Sequence, residues 1–219
     1  MALIAIEGTD GSGKETQVSG LVARAMDERI LAASMSFPRY DTPTGRIIRD
    51  YLDGKFGNPT ALPPKVCAAF YAVDRLVAAR EIRALFKNKF NVFLNRYAGS
   101  NFAHQAAKLP EEQRKEFIEW NENYEFVHLG IPKPDLTICL HVPKDETLKA
   151  IGKQGREKDG HESDEEYQQR VIDTYLMLAE TKLDWRLVKC MDGERRKNIG
   201  EVTEEIWEKV RGILSYINP

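Results

Sequence analysis

The chain has 219 residues, of which 42% are hydrophobic and 30% charged, and its formal net charge is −2. Apolar content of that order supports one sizeable buried core and excludes disordered and fibrous classes. Basic residues are spread along the chain, so no electrostatic stripe points to nucleic acid, and without a run of about 18 apolar residues there is no candidate membrane span.

The opening MALIAIEG has no charged n-region and no long apolar stretch, and it reads as the start of a soluble, cytoplasmic protein. Within it, Ala2 to Glu7 form a short apolar run that ends at Gly8. Gly11 and Gly13 follow, and then Val18, Leu21, Val22, Ala25 and Met26 recur at helical spacing. Strand, glycine-rich turn and helix are expected in that order. Further apolar runs lie at Ile30 to Phe37, Asn91 to Leu94, Leu136 to Val142 and Trp185 to Lys189, separated by segments of helical patterning. Strands alternating with helices predict a three-layer α/β fold, a five-stranded parallel sheet flanked by helices. Pro38, Pro43, Pro63, Pro64, Pro132 and Pro134 punctuate turns without opening a linker, so residues 1–219 are expected to form a single domain. The most polar stretch, Lys153 to Glu166 (KQGREKDGHESDEE), falls between two helical patterns and reads as a short mobile lid. Cys67, Cys139 and Cys190 are odd in number and widely spaced, which fits free or buried thiols in a reducing compartment. The four histidines are scattered and form no zinc-like cluster.

Gly8-Thr9-Asp10-Gly11-Ser12-Gly13-Lys14 satisfies the first seven positions of G-x-x-x-x-G-K-[ST], between a predicted strand and a predicted helix. Glycines let the backbone curl until successive N–H groups face one phosphate; the helix N-terminus adds a favourable dipole and Lys14 a point charge. An ordinary glycine-rich turn is the alternative, but the Gly-Lys pair in this context favours a nucleotide phosphate loop over residues 8–16. The eighth position is Glu15, where a hydroxyl for Mg²⁺ is expected, and the hydroxyl comes one residue later at Thr16. Glu15 is either a metal-side group or an exposed first-turn acid favoured by the helix dipole, and Glu15 and Thr16 are the candidate metal groups.

A phosphate loop does not by itself choose a reaction. Farther along come, in order, Phe37-Pro38-Arg39-Tyr40, Phe70-Tyr71-Ala72-Val73-Asp74-Arg75, Asn95-Arg96-Tyr97-Ala98-Gly99-Ser100-Asn101 and Pro132-Lys133-Pro134-Asp135-Leu136. Together with the loop, this ordered set resembles the thymidylate kinase family of P-loop nucleoside monophosphate kinases, from residue 3 to about residue 190. The resemblance implies a P-loop kinase fold, ATP and Mg²⁺, transfer of the γ-phosphoryl group of ATP to dTMP in dTTP synthesis, and a homodimer through helices of the region including Phe70 to Ala84. It implies ATP contacts from Gly8, Gly11, Ser12, Gly13, Lys14, Glu15 and Thr16. On the acceptor side it places Asp10 at the sugar 3′-hydroxyl, Tyr71 on the base, Arg75 at a base carbonyl and Asn101 at the base edge. It adds His104 to the substrate-binding set and gathers Arg96, Phe37, Arg39 and Tyr40 around the 5′-phosphate. Read singly, Tyr71 also fits a core position, Arg75 a partner of Asp74 or of an exposed acid, and Asn101 a helix cap. At Asn95 the family usually has aspartate; Glu15 offers a carboxylate that could keep the charge around the metal nearly constant.

Phosphoryl transfer asks mainly for in-line positioning and neutralised charge. One group of the family carries an arginine within the loop, whereas another has glycine there and supplies the arginine from the lid. With Gly11 at that place and Lys153 and Arg156 in the polar stretch, the chain resembles the lid-arginine group. Lys14, Arg96, Lys153 and Arg156 are then the expected catalytic set, and the resemblance implies that Glu162 reaches toward Asp10 and the sugar. A solvated charged loop is the alternative for Lys153 and Arg156. The rival functions are a kinase for another acceptor, such as dUMP, dGMP or AMP, and a catalytically quiet nucleotide-binding protein. A deoxynucleoside kinase fits less well, because Phe37-Pro38-Arg39-Tyr40 offers cations where a carboxylate base is needed.

Overall fold

The computed structural model describes residues 1–144, 146 and 165–215. Its elements run β1 (Leu3–Gly8), α1 (Lys14–Asp27), β2 (Ala32–Ser36), α2 (Pro43–Leu52), α3 (Pro64–Lys87), β3 (Asn91–Asn95), α4 (Ala98–Ala106) and α5 (Glu111–Glu122). A π-helical turn (Asn123–His128), β4 (Leu136–His141), α6 (Glu165–Thr181), β5 (Trp185–Lys189), β6 (Met191–Asp192), β7 (Arg195–Arg196) and α7 (Ile199–Val210) follow. Every predicted apolar run is a strand, and β1 to β5 pair in the order β2-β3-β1-β4-β5, all parallel.

Successive side chains of a strand point to opposite faces, and this sorts the core into two halves. Leu3, Ala5, Val92, Leu94 and Cys139 pack on one face with Ala68, Phe102, Phe117 and Tyr175 of α3 to α6. Ile4, Ile6, Phe93, Ile138 and Leu140 pack on the other with Val18, Leu21, Ile206 and Trp207 of α1 and α7. Burial on both faces is why these strands read as nearly unbroken apolar runs. Glu7 continues the Leu3 and Ala5 row, so its carboxylate enters the interior on the α4 side, where it is 0% exposed.

Ile6 and Ser36 both lie opposite Asn95, so β2 and β3 end level while β1 runs two residues farther, to Gly8. The segments that follow them open onto one crevice at the carboxyl edge of the sheet, where ligands of open α/β sheets bind. Gly8 makes the exit from β1 possible: its φ is 141°, and a Cβ there would lie 2.5 Å from the Leu140 carbonyl oxygen.

Some features depart from the sequence expectations. Met26 shares the helical spacing of α1 but is 60% exposed; Val18, Leu21 and Ala25 are the buried stripe. Glu165 and Glu166, the end of the expected lid, open α6. Lys153, Arg156 and Glu162 lie outside the described residues. The antiparallel β6–β7 hairpin was not expected, since strands of two residues are too short for a periodic signal. Among the described residues, no helix is long and apolar enough to cross a membrane.

Candidate active site

The helix α1 starts at Lys14, directly after the glycine-rich turn, and among the described residues no side chain caps it. Its first-turn N–H groups are thus available to an anion. The Lys14 ammonium is buried and donates to the Thr9 carbonyl at 2.8 Å. Burial and the neighbouring Arg96 charge outweigh the attraction of Asp10 and Glu7, lowering its pKa to about 7. Thr9 Oγ1 and Ser12 Oγ are buried without a partner among the described residues. Arg196 of β7 donates to the Gly11 carbonyl at 2.9 Å, tying the hairpin to the loop. Glu15 and Thr16 are both exposed on the first turn of α1, which matches the exposed-acid reading of Glu15.

Beside the loop lies a cleft of about 770 Å³, open mouth included, which gathers Asp10, Phe37, Tyr40, Tyr71, Arg75, Arg96, Asn101 and His104 from the expected set. Arg96 follows β3 with φ 61°, a backbone conformation uncommon for a residue with a side chain. Its guanidinium donates to Asp10 Oδ1 and, at 3.0 Å, to Ser100 Oγ. Partial burial pushes the Asp10 carboxyl up, but the Arg96 and Lys14 charges more than cancel this and hold it well below the usual carboxylate range. Tyr71 stands edge-on to Tyr51, with ring centroids 6.2 Å apart. Tyr167, which the motif reading did not find, also lines the cleft and donates to the His104 carbonyl at 2.9 Å.

Among the described residues, Arg39 is the expected acceptor-side residue that the structure does not bring to this cleft. Its Nε lies 3.3 Å from Asp74 Oδ1 and its Nη1 3.6 Å from Glu81 Oε2. The side chain borders an adjoining open groove with Arg46 and Arg49 instead. Asp74 captures it because that carboxylate faces α2 and its preceding loop, where it also accepts from Thr44 Oγ1 at 2.7 Å.

Two buried carboxylates organise the cleft, and both were missed in the sequence. Glu7 Oε1 accepts from the backbone N–H groups of Tyr97 (2.7 Å) and Ser100 (2.9 Å). Glu7 Oε2 accepts from Ser100 Oγ (2.7 Å) and Tyr175 Oη (3.1 Å). The start of α4 is so close that a Cβ on Gly99 would lie 2.9 Å from Glu7 Oε1 and 2.8 Å from the Trp185 ring. A charged residue inside an apolar strand run was the available signal for Glu7, since a buried carboxylate needs partners. The second is Glu125, in the π-helical turn, which forms a fork with Arg75 through Nε (2.6 Å) and Nη2 (2.7 Å). Arg75 therefore pairs neither with Asp74 nor with an exposed acid. Asn101 lies within α4 rather than capping it. Glu125 stands among Tyr124, Phe126 and Val127, but with no periodic pattern there to say which face of the segment is buried.

At the end of β3, Asn95 Nδ2 donates to Ser36 Oγ at 3.3 Å, and its buried Oδ1 has no partner among the described residues. No group of three His, Cys, Asp or Glu side chains converges among the described residues. The three cysteines are free and buried.

A family profile described as thymidylate kinase matches residues 6–206. Thymidylate kinases from two strains of Mycobacterium tuberculosis are each 36% identical over 183 residues, covering 81% of this chain and 85% of the relative. One from Dictyostelium discoideum is 29% identical over 207 residues, covering 93% and 82% respectively. Among solved structures, the thymidylate kinase of Candida albicans is similar with a TM-score of 0.76 and 25% identity, over 96% of this chain and 91% of that one. That protein is described as having broad substrate specificity. With residues 6–206 matched and relatives at 36% identity over most of its length, the chain belongs to the thymidylate kinase family.

Proposed function

We propose that this nucleoside monophosphate kinase transfers the γ-phosphoryl group of ATP to the 5′-phosphate of dTMP, giving dTDP and ADP. One observation carries the reading: a base-sized slot lies directly beside the phosphate loop, whose Asp10 lines it and pairs there with Arg96. The α1 amides and Lys14 hold the donor phosphates, while Arg96 lies where two phosphate groups would meet. Tyr71 offers a ring face to the base and Asp10 an acceptor to the sugar hydroxyl. The acceptor phosphate is largely ionised at neutral pH, so no side chain has to remove a proton from it. We assign Lys153 and Arg156 to charge on the transferring group, and Glu162 to the sugar side, on the family resemblance.

The donor set fits a Mg²⁺ ion held mainly by phosphate oxygens and water, with few protein ligands. Asn95 Oδ1 and Ser12 Oγ are buried neutral oxygens without partners among the described residues, and these would hold it. When bound, the ion neutralises charge on the phosphates. Free, buried thiols support a reducing, cytoplasmic setting, and an exposed apolar stripe on α3 supports a homodimer.

Comparing kcat/KM for dTMP, dUMP, dGMP and AMP at fixed ATP and Mg²⁺ tests the assignment. dTMP is expected first. Loss of one methyl contributes about 1 to 3 kcal/mol, so dUMP should be a weaker acceptor, and purine nucleotides should fall roughly 10⁴-fold behind. A purine nucleotide ahead of dTMP would overturn the acceptor, and tight dTMP binding without ADP release would make the chain a binding protein.

A further inference from the structure

The helix α5 runs without a break into the π-helical turn Asn123–His128, and Glu125 is the buried residue of that turn. π-helical turns are rare and frequently lie at functional sites. Here the turn delivers a carboxylate beneath the base end of the cleft, where it meets Arg75 and Asn101.

Asn101 Nδ2 donates to Glu125 Oε1 at 3.0 Å and to the Ala68 carbonyl at 3.0 Å. Both partners are acceptors only, so the amide cannot be turned the other way without setting oxygen against oxygen twice. Asn101 Oδ1 is left buried, without a partner among the described residues, on a residue that lines the cleft. Arg75 commits two N–H groups to Glu125 and one, at 3.3 Å, to the Tyr97 carbonyl. Two of its five N–H groups are then left for the cleft that it also lines. One carboxylate thus sets an acceptor and a donor side by side.

We propose that Glu125 is a positioning residue that fixes the hydrogen-bond polarity of the base slot, by forcing the Asn101 oxygen and the Arg75 N–H groups toward the ligand. The proposal rests on the monophosphate-acceptor reading above and deepens it. A slot of this polarity matches a pyrimidine edge that carries an N–H beside a carbonyl. Cytosine presents a lone pair and an amino group at the same places, so it would set acceptor against acceptor and donor against donor.

The comparison that isolates this edge is dUMP against dCMP, since neither carries a 5-methyl group. The wild-type protein is expected to prefer dUMP by at least about 10³-fold in kcat/KM, because a buried site built for one pattern leaves its groups unpaired with the other. Glu125→Gln places an amide N–H₂ among Arg75 and Asn101 and removes the constraint on the Asn101 amide. The dUMP:dCMP ratio should fall at least tenfold while the KM for ATP stays unchanged, a pattern that general loss of structure does not produce. A folded Glu125→Gln protein with the wild-type ratio would overturn the proposal. If circular dichroism shows that Glu125→Gln does not fold, Asn101→Ala is read instead, because it leaves the Arg75–Glu125 pair in place: a collapsed ratio supports the proposal and an unchanged one overturns it. Wild-type turnover of dTMP with a dUMP:dCMP ratio below ten sinks the Glu125 assignment alone, whereas no turnover of dTMP sinks the acceptor reading and this proposal with it.

Discussion

Lys14 lies buried in the loop, folded back on the Thr9 carbonyl, with its pKa lowered to about 7 from the 10.5 of an ordinary lysine. Burial is the main cause, and a bound polyphosphate would remove much of the penalty by placing negative charge beside the ammonium. At pH 8 the side chain should be largely neutral in the free protein and largely charged in the ATP complex, so ATP binding should take up protons. Titration calorimetry in two buffers of different ionisation enthalpy reads this directly, and an observed enthalpy independent of buffer would sink it. The stability linkage has a definite sign: between about pH 7 and 10.5 the unfolded chain holds more protons at this site, so stability should rise with pH across that window. Below about pH 7 the cost of the buried charge is fully present. Replacing Lys14 by Ala should leave the fold intact and cut turnover by about 10²- to 10³-fold, the usual loss with one electrostatic donor. Near-normal turnover would remove Lys14 from the mechanism. Lys14 was legible because its neighbours in sequence are also its neighbours in space. Arg39 was not, since its choice of Asp74 depends on how α3 lies against the β2–α2 segment.

At the scale of elements, Glu7 fastens the start of α4 to the end of β1, and Arg96 hangs from that junction through Ser100 Oγ. Glu7→Gln keeps the size of the side chain but removes the charge and turns one acceptor into a donor, facing the Tyr97 and Ser100 amides or the two hydroxyls. With charged hydrogen bonds contributing about 1.5 to 3 kcal/mol each, a net loss of ~2 to 4 kcal/mol is expected in urea unfolding. A fall in kcat/KM larger than that of Ser100→Ala should accompany it, because two backbone anchors are lost as well as the hydroxyl. Unfolding within about 0.5 kcal/mol of wild type, the range of ordinary surface changes, would show that α4 does not depend on Glu7. The five strands of the main sheet were legible for the reason that makes Glu7 stand out: they are covered on both faces, so their apolar runs are nearly continuous. The π-helical turn has no such signature, since it continues the end of α5 without a glycine or a proline to mark the change, and nothing in the pattern set its buried acid apart from the acids of α5. The β6–β7 hairpin escaped because its strands have two residues each.

At the scale of the whole molecule, α3 serves the cleft with one face and presents an apolar stripe with another. Ala68, Ala72, Ala78, Ala79 and Ile82 are fully buried, while Val66, Val73, Leu76 and Val77 are 45%, 40%, 37% and 56% exposed. Positions 66, 73 and 77 recur at helical spacing, so these side chains form a line rather than scattered points. A line of this kind on a 24-residue helix suits an isologous contact, in which the same helix of a second copy packs against it. Tyr71 and Arg75 ride on the same helix, so such a contact would also brace the base slot from behind. The protein is expected to sediment at micromolar concentration with about twice the 25.0 kDa mass of one chain. Val73→Glu combined with Val77→Glu should give the single-chain mass, because like charges would oppose each other in the buried seam. Both positions are exposed in one chain, so each monomer should remain folded, and circular dichroism separates dissociation from unfolding. Loss of the brace should appear as a raised KM for dTMP with the KM for ATP little changed, since Tyr71 and Arg75 line the cleft and Lys14 does not. Wild-type protein that sediments as a single chain at these concentrations would remove the dimer, leaving the α3 stripe as an exposed surface and the base slot dependent on its own chain.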